Sequence, residues 1–455
     1  MIPFYKKDEE FEFSDVSDDD EINNNQNHLE VPDLNQFTEL CNNFELLSIS
    51  DIKENDEAIS EYIRIVDIFY NFRRLVDDKR YMEIIIAEQV IKYMIDHIEL
   101  TEDDESDQIY ISRQLKCLKY FATKSRKAAY VILINGYLIK MKQSFSYYNE
   151  YNQILCIKLI ITIFRERSIL FSKILEHSLL MALKIVIDAC NTTKDMTYED
   201  ICRKAIYYII SMSNNENTIL SGYDFIYSHK ESISRDHILA NIIRENAAKL
   251  ISRNNESCCT ALKLLNGDSP TKIAMGLMIS FSIIKYLNEE QFNQFYSNYP
   301  FHLILNCLKD SAMELQIGAL KVINQYLEKQ VNDFVFNDDF MSQIFELLDS
   351  PFEIKEYVLK ILSDLVMQSD RSHLSLFFQS GLEIDVLVDS LESSKYSFLI
   401  LQAIYKFACE VDGVVDALRE TNISSMIEEI NLEKFKEEEQ QQIELIRNNL
   451  IDMFQ

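Results

Sequence analysis

Interruptions of a helical pattern recur at a nearly constant interval along this chain, and that regularity limits its fold more than any other feature. From about residue 56 the apolar residues follow the i, i+3, i+4, i+7 spacing of an amphipathic helix. Polar turns break the pattern near Asp103, Ser146, Thr193, Ser232, Asp268, Asp310, Asp349 and Glu392, at intervals of roughly 36 to 47 residues, the period of stacked helical repeats. A chain of 455 residues also exceeds one compact core, since such cores stop growing near roughly 250 to 300 residues. Length and period together predict an all-α array in which each repeat buries its apolar face on the next.

The residues that are scarce exclude most other classes. Seven glycines and five prolines leave sheets and hairpins without their usual punctuation. The closest glycines, Gly267 and Gly276, lie nine residues apart, so no phosphate-cradling loop can be built from clustered glycines. There is no G-x-S-x-G elbow and no kinase loop set, and no nucleophile pairs with a base, so no enzymatic activity is expected. Nine cysteines without any C-x-x-C read as reduced thiols of an intracellular chain. None of the seven histidines falls at metal-ligand spacing, and neither a metal nor a cofactor is expected.

The best apolar window, Ile154 to Phe164, carries Lys158 and falls well short of the roughly 18 residues of a membrane span. With no apolar leader after Met1, the expected location is the cytoplasm, the nucleus or both. A net charge of −29 sets long-range repulsion against any polyanion, so nucleic acid is not an expected partner.

Charge is unevenly distributed. The first 60 residues hold 17 acidic and 3 basic residues, a net of −14. The acidic run Asp15 to Glu21, followed by the amide-rich run Asn23 to Asn27, cannot bury enough apolar area to offset ordering entropy. Residues 1–50 are therefore expected to form a disordered acidic arm, with Phe4, Tyr5, Phe11 and Phe13 able to dock elsewhere. Ser17, followed by three aspartates, is a candidate phosphosite for an acid-directed kinase.

Three segments align directly: NCLKDSAMELQIGALKVINQYL, ELLDSPFEIKEYVLKILSDLV and DSLESSKYSFLILQAIYKFAC. Each is an apolar helix ending in Leu, an acidic-Ser turn, and a longer amphipathic helix. In the second, Val358, Ile361, Leu362 and Leu365 share the core face. A third, shorter helix precedes each pair, as in HLSLFFQSGL and VVDALRETNI. The run FQSGLEIDVLVDSLESS resembles the short helix, acidic-glycine corner, second helix and turn of the armadillo repeat family, whereas a HEAT repeat has two helices rather than three. The resemblance implies a right-handed superhelical solenoid of about eight to nine three-helix repeats, spanning residues 51–424. The charged residues 425–455 then form a capping helix.

In that family the long helix of each repeat lines a concave face, with two positions four residues apart directed into the groove. Aligned to the family pattern, the pairs here are Lys116 with Tyr120, Lys158 with Thr162, Lys204 with Tyr208, Glu245 with Lys249, Phe281 with Lys285, Lys321 with Gln325, Lys360 with Asp364, and Gln402 with Lys406. Every pair contains a lysine. The resemblance thus implies a non-enzymatic interaction scaffold or adaptor that binds extended acidic protein segments, including its own N-terminal arm, in a lysine-lined groove, as beta-catenin-like members do. Importin-alpha-like nuclear import adaptors, the family's other well-known use, hold basic signals on tryptophan and asparagine. This chain has no tryptophan, and no pair contains asparagine. A regulatory or assembly subunit of a larger complex is the remaining alternative.

Overall fold

The computed structural model describes residues 32–49, 56–98, 105–165, 175–229, 231–252, 256–329, 338–379, 384–430 and 432–454. Ser17, most of the acidic arm and the Gly381 corner lie outside these residues. Among the described residues the chain is helical without strands, and it divides after Asn246 into two compact units. Asn246 itself leaves the helical range, with φ −124° and ψ 19°, and so kinks a helix that otherwise runs on to Ile251.

The N-terminal unit contains α1 (Leu34–Ile49), α2 (Asp56–Asn71), α3 (Lys79–Ala87), α4 (Val90–Asp96), α5 (Glu105–Lys124), α6 (Arg126–Ile134), α7 (Tyr137–Ser144), α8 (Glu150–Arg165), α9 (Leu175–Thr192), α10 (Met196–Met212), α11 (Glu216–Ser228) and most of α12 (Ile233–Ile251). The long helices α2, α5, α8 and α10 pack each on the next. Between α5 and α8 the contact is pinned by a polar cluster: the Gln108 amide donates to Tyr147 O at 2.9 Å, while its Oε1 accepts from Asn149 N at 3.0 Å and from Asn152 Nδ2 at 2.9 Å.

The C-terminal unit contains α13 (Glu256–Leu265), α14 (Pro270–Ile284), α15 (Glu289–Ser297), α16 (Phe301–Leu308), α17 (Met313–Glu328), α18 (Asp338–Glu346), α19 (Phe352–Gln368), α20 (Arg371–Gln379), α21 (Ile384–Asp389), α22 (Ser397–Glu410), α23 (Val414–Glu420), α24 (Ile423–Glu429) and α25 (Glu437–Phe454). Its long helices α14, α17, α19, α22 and α25 likewise pack in series. A recurring bond ties each repeat to the one before. Gln291 Nε2 donates to Ile251 O, Lys329 Nζ to Leu287 O, Gln368 Nε2 to Leu327 O, and Lys406 Nζ to Met367 O and Ser369 O, at 2.7 to 3.2 Å. The acceptors lie in the last turn of a helix or just beyond it, as Leu287 does, where carbonyls have no partner within the helix.

Seven of the eight turns anticipated from sequence fall immediately before a long helix, α8, α10, α12, α14, α17, α19 or α22, and the eighth, near Asp103, lies outside the described residues. At α10, α12 and α14 a polar residue of the turn acts as N-cap, whereas α17, α19 and α22 follow Ala312, Pro351 and Tyr396 without a side-chain cap. Asp195 accepts from Thr197 N at 2.7 Å, Ser232 from Arg235 N at 3.1 Å, and Ser269 from Lys272 N at 3.3 Å with Pro270 opening the helix.

Three expectations require correction. The disordered arm does not extend to residue 50, because α1 is an ordered, packed helix. Its Phe37, Cys41 and Phe44 are buried on one stripe, with the Phe44 ring 4.8 Å from Tyr62 and Phe37 5.0 Å from Tyr81. Asp33 caps it by accepting from Gln36 N at 2.9 Å while the Gln36 side chain accepts from Asp33 N, a reciprocal capping box. The repeats are not uniformly of three helices: α11–α12 and α13–α14 are two-helix units. Their long helices begin at Met196, Ile233 and Pro270, steps of 37 residues that leave no room for a third helix. Finally, the boundary placed at residue 425 falls inside α24, and the terminal cap is α25, which packs on α22, α23 and α24.

Candidate interaction surface

The long helices carry two runs in which cations and aromatic rings alternate across successive repeats. In the N-terminal unit, Lys116 of α5 places its ammonium 5.6 Å from the ring of Tyr70 on α2 and 5.5 Å from that of Tyr151 on α8. The Arg73 guanidinium lies 4.4 Å over Tyr70 and extends the run. In the C-terminal unit, Lys321 of α17 lies 5.7 Å from Phe281 on α14 and 5.6 Å from Tyr357 on α19. Lys395, in the turn before α22, lies 5.4 Å from the same Tyr357 ring and 4.9 Å from Tyr396. All these separations are within cation–π range. In both units a lysine of one long helix sits between rings of the preceding and following ones. Burial pushes the Lys321 ammonium below its ordinary value; nearby Glu353 opposes this and Lys395 adds to it. Tyr151 and Phe281 keep one face in solvent, at 47% and 36% exposure.

The positions nominated from sequence separate into four groups. Lys116 and Lys321 belong to the alternating runs. Lys158 on α8, Lys204 and Tyr208 on α10, and Lys249 on α12 are half-buried along the long helices, with the Tyr208 ring 5.4 Å from Tyr207. The exposed Lys285, at the end of α14, lies 4.7 Å over Tyr286. The remaining positions serve the fold itself. Lys360 donates to Asn324 Oδ1 at 2.5 Å and pairs with Glu328 at 3.3 Å and Asp364 at 3.5 Å. Burial raises the Asp364 carboxyl above its ordinary value, with the Lys360 charge opposing. Gln325 is 7% exposed and donates to Glu328 at 2.8 Å, so it supports the helix rather than lining a surface. Lys406 caps the end of α19, as described above, and Tyr120 donates to Asp77 at 3.2 Å beside the Lys124–Asp77 ion pair. Lys116, Lys285 and Lys321 thus meet aromatic rings, Lys360 an amide and carboxylates, and Lys406 backbone carbonyls.

No protein-family model and no curated protein matches the chain. Among solved structures, an engineered protein determined by the Northeast Structural Genomics Consortium is similar at a TM-score of 0.65 and 11% identity, over 91% of this chain and 98% of that one. A chain from a structure concerned with the phosphorylation switch that controls the interaction between cadherin and beta-catenin is similar at a TM-score of 0.58 and 12% identity, over 92% of this chain and 89% of that one. This chain has an armadillo-like fold. A designed armadillo repeat protein is also similar, at a TM-score of 0.36 and 14% identity over 60% of this chain.

Within this armadillo-like chain, sequence reasoning missed Tyr70, Tyr151, Tyr357 and Lys395. A usable signal exists: Tyr151 follows Lys116 by 35 residues and Tyr357 follows Lys321 by 36, nearly one repeat on. Among the described residues no helix is long and apolar enough to cross a membrane.

Proposed function

We propose that this chain is a non-enzymatic protein-interaction scaffold that holds an extended acidic segment of a partner along its long helices. The observation that carries this reading is the run Phe281, Lys321, Tyr357, Lys395, Tyr396, which offers ammonium groups to carboxylates and ring faces to apolar anchors in alternation. The armadillo-like fold supports the class of function, because stacked repeats create continuous surfaces for extended ligands. The net charge of −29 makes such a local cationic run selective: acidic ligands gain only where the lysines are, and diffuse attraction does not hold them elsewhere. The chain's own residues 1–30 have the required composition, and we include them as a competing internal ligand acting in cytoplasm or nucleus.

The test is fluorescence anisotropy with a labelled peptide of residues 1–30 and, in parallel, a lysine-rich peptide of equal length, each against a chain beginning at residue 32 so that α1 stays whole. The acidic peptide is expected to bind, to weaken as salt rises, and to lose more than tenfold in affinity, about 1.4 kcal/mol, in the Lys321→Glu/Lys395→Glu variant and in Tyr357→Ala. Binding of the lysine-rich peptide alone would reverse the polarity of the surface and favour an import-adaptor role.

A further inference from the structure

Three consecutive helices of the N-terminal unit bring a thiol, an imidazole and a carboxylate to one point. Cys190 lies in the last turn of α9, Glu199 in the first turn of α10, and His229 at the C-cap of α11. Their ligand atoms all lie within 4.8 Å of one another, and Cys190 Sγ is 3.9 Å from His229 Nε2. In a tetrahedral zinc site, bonds of about 2.3 Å to sulfur and about 2.0–2.1 Å to nitrogen put those two atoms about 3.6 Å apart. For the Cys190–His229 pair a closure of a few tenths of an ångström therefore suffices, and the Glu199 carboxylate, within 4.8 Å of both, is near enough to follow.

The imidazole is already set for the purpose. His229 Nδ1 lies 2.8 Å from Phe225 O. A carbonyl can only accept, so Nδ1 carries the proton and Nε2 presents its lone pair toward the Cys190 sulfur. This carbonyl-anchored tautomer is the usual outer-shell arrangement of a metal-bound histidine. The carboxylate is held as well: Glu199 is ion-paired to the buried Arg203, which also pairs with Asp200 at 2.6 Å. The wholly buried Cys202 thiol hydrogen-bonds to the Cys190 sulfur and so is the next thiol within reach. Cys190 is 4% exposed, while His229 and Glu199 lie at the half-buried rim and give an ion its approach.

We propose that Cys190, Glu199 and His229, with Cys202 as the fourth ligand, bind a soft divalent cation of the zinc class and pin α9, α10 and α11 together. Binding displaces the thiol protons of Cys190 and Cys202 to solvent. Two thiolates and a carboxylate then face the dication, and the Arg203 guanidinium offsets the remaining negative charge. Thiolate and imidazole ligands favour this class over magnesium or calcium, which take oxygen donors.

The test uses the full chain, stripped with a chelator and titrated with Zn²⁺ against a chromophoric chelator, and with Co²⁺ followed by absorption. One equivalent per chain is expected, with thiolate-to-cobalt charge transfer and intense tetrahedral bands. Cys190→Ser and His229→Gln should each weaken Zn²⁺ binding beyond the about 10–100-fold that loss of an outer-shell partner costs. Cys202→Ser should retain an ion with an altered cobalt spectrum, while the exposed Cys259→Ser and Cys409→Ser should change nothing. Circular dichroism confirms that each variant is folded, and half-exposed His229 keeps the test independent of core packing. The proposal is overturned by a folded chain that binds no stoichiometric Zn²⁺, by binding that survives both Cys190→Ser and His229→Gln, or by recovery of Cys190 and Cys202 as a disulfide under the same conditions.

Discussion

The carboxylate of Asp370 shows how much one exposed side chain can do at the start of a helix. Its Oδ1 accepts from Ser372 Oγ at 2.6 Å and from His373 N at 3.0 Å, and these bonds bring its carboxyl down to about 2. A folded-state value below the ordinary 3.8 means that its contribution to stability is complete above that pH and is lost as pH falls toward about 2. A carboxyl-carbon NMR titration should place its midpoint near the lower value, and Asp370→Asn should flatten the stability profile between the two; a midpoint at the ordinary value would mean the cap does not hold in solution. The lysines are instructive at the same scale. Their positions were legible through the resemblance, because Lys116 and Lys321 follow from aligning each long helix to the armadillo pattern. Their chemistry was not, because what each ammonium meets lies one repeat away: rings for Lys321, an amide and carboxylates for Lys360, carbonyls for Lys406. The same holds for Cys190 and His229, which are 39 residues apart in the chain and neighbours only after three helices stack.

Among the elements, α13 and α14 approach most closely where Gly276 faces α13. A Cβ built there would lie 2.7 Å from the backbone nitrogen of Leu265 and 3.1 Å from Ala261 O, so backbone must give way. Gly276→Ala is expected to destabilise by about 1–3 kcal/mol through overpacking, although helix propensity alone favours alanine by about 1 kcal/mol. At Gly318 the nearest atom is the far end of the Leu277 side chain, at 3.1 Å, which can rotate away, so Gly318→Ala should be neutral or stabilising. Urea midpoints of the two variants check the contrast, and equal effects would remove close backbone approach as the cause. The turns between elements were legible as breaks in the apolar period, and those at Asp195, Ser232 and Ser269 also as helix caps, while the acidic-Ser turns before α17, α19 and α22 break the helix without capping the next one. The helix α1 was hidden by averaging charge over a 60-residue window, which obscured the stripe Phe37, Cys41, Phe44 and the box formed by Asp33 and Gln36. The two-helix repeats were hidden because both repeat types share long helices, and only the shorter step of 37 residues distinguishes them.

At the scale of the whole molecule, each repeat of a solenoid gains its stability from its own helices and from its neighbours in the stack, so unfolding need not be all-or-none. With two compact units in one chain, urea unfolding followed by far-UV circular dichroism and by tyrosine fluorescence should give transitions that do not coincide. A single transition shared by both probes would show that the units unfold as one. The ties between repeats of the C-terminal unit have a different consequence. Their donors, Gln291, Lys329, Gln368 and Lys406, follow one another at 38, 39 and 38 residues, and each reaches back to a carbonyl one repeat earlier. A gene segment one period long thus encodes one donor and one acceptor whatever its starting point. Duplicating or excising such a segment regenerates every tie at the new junction, whereas an excision of half a period strands a carbonyl and a side-chain donor. Inheritance can therefore lengthen or shorten this chain in whole periods.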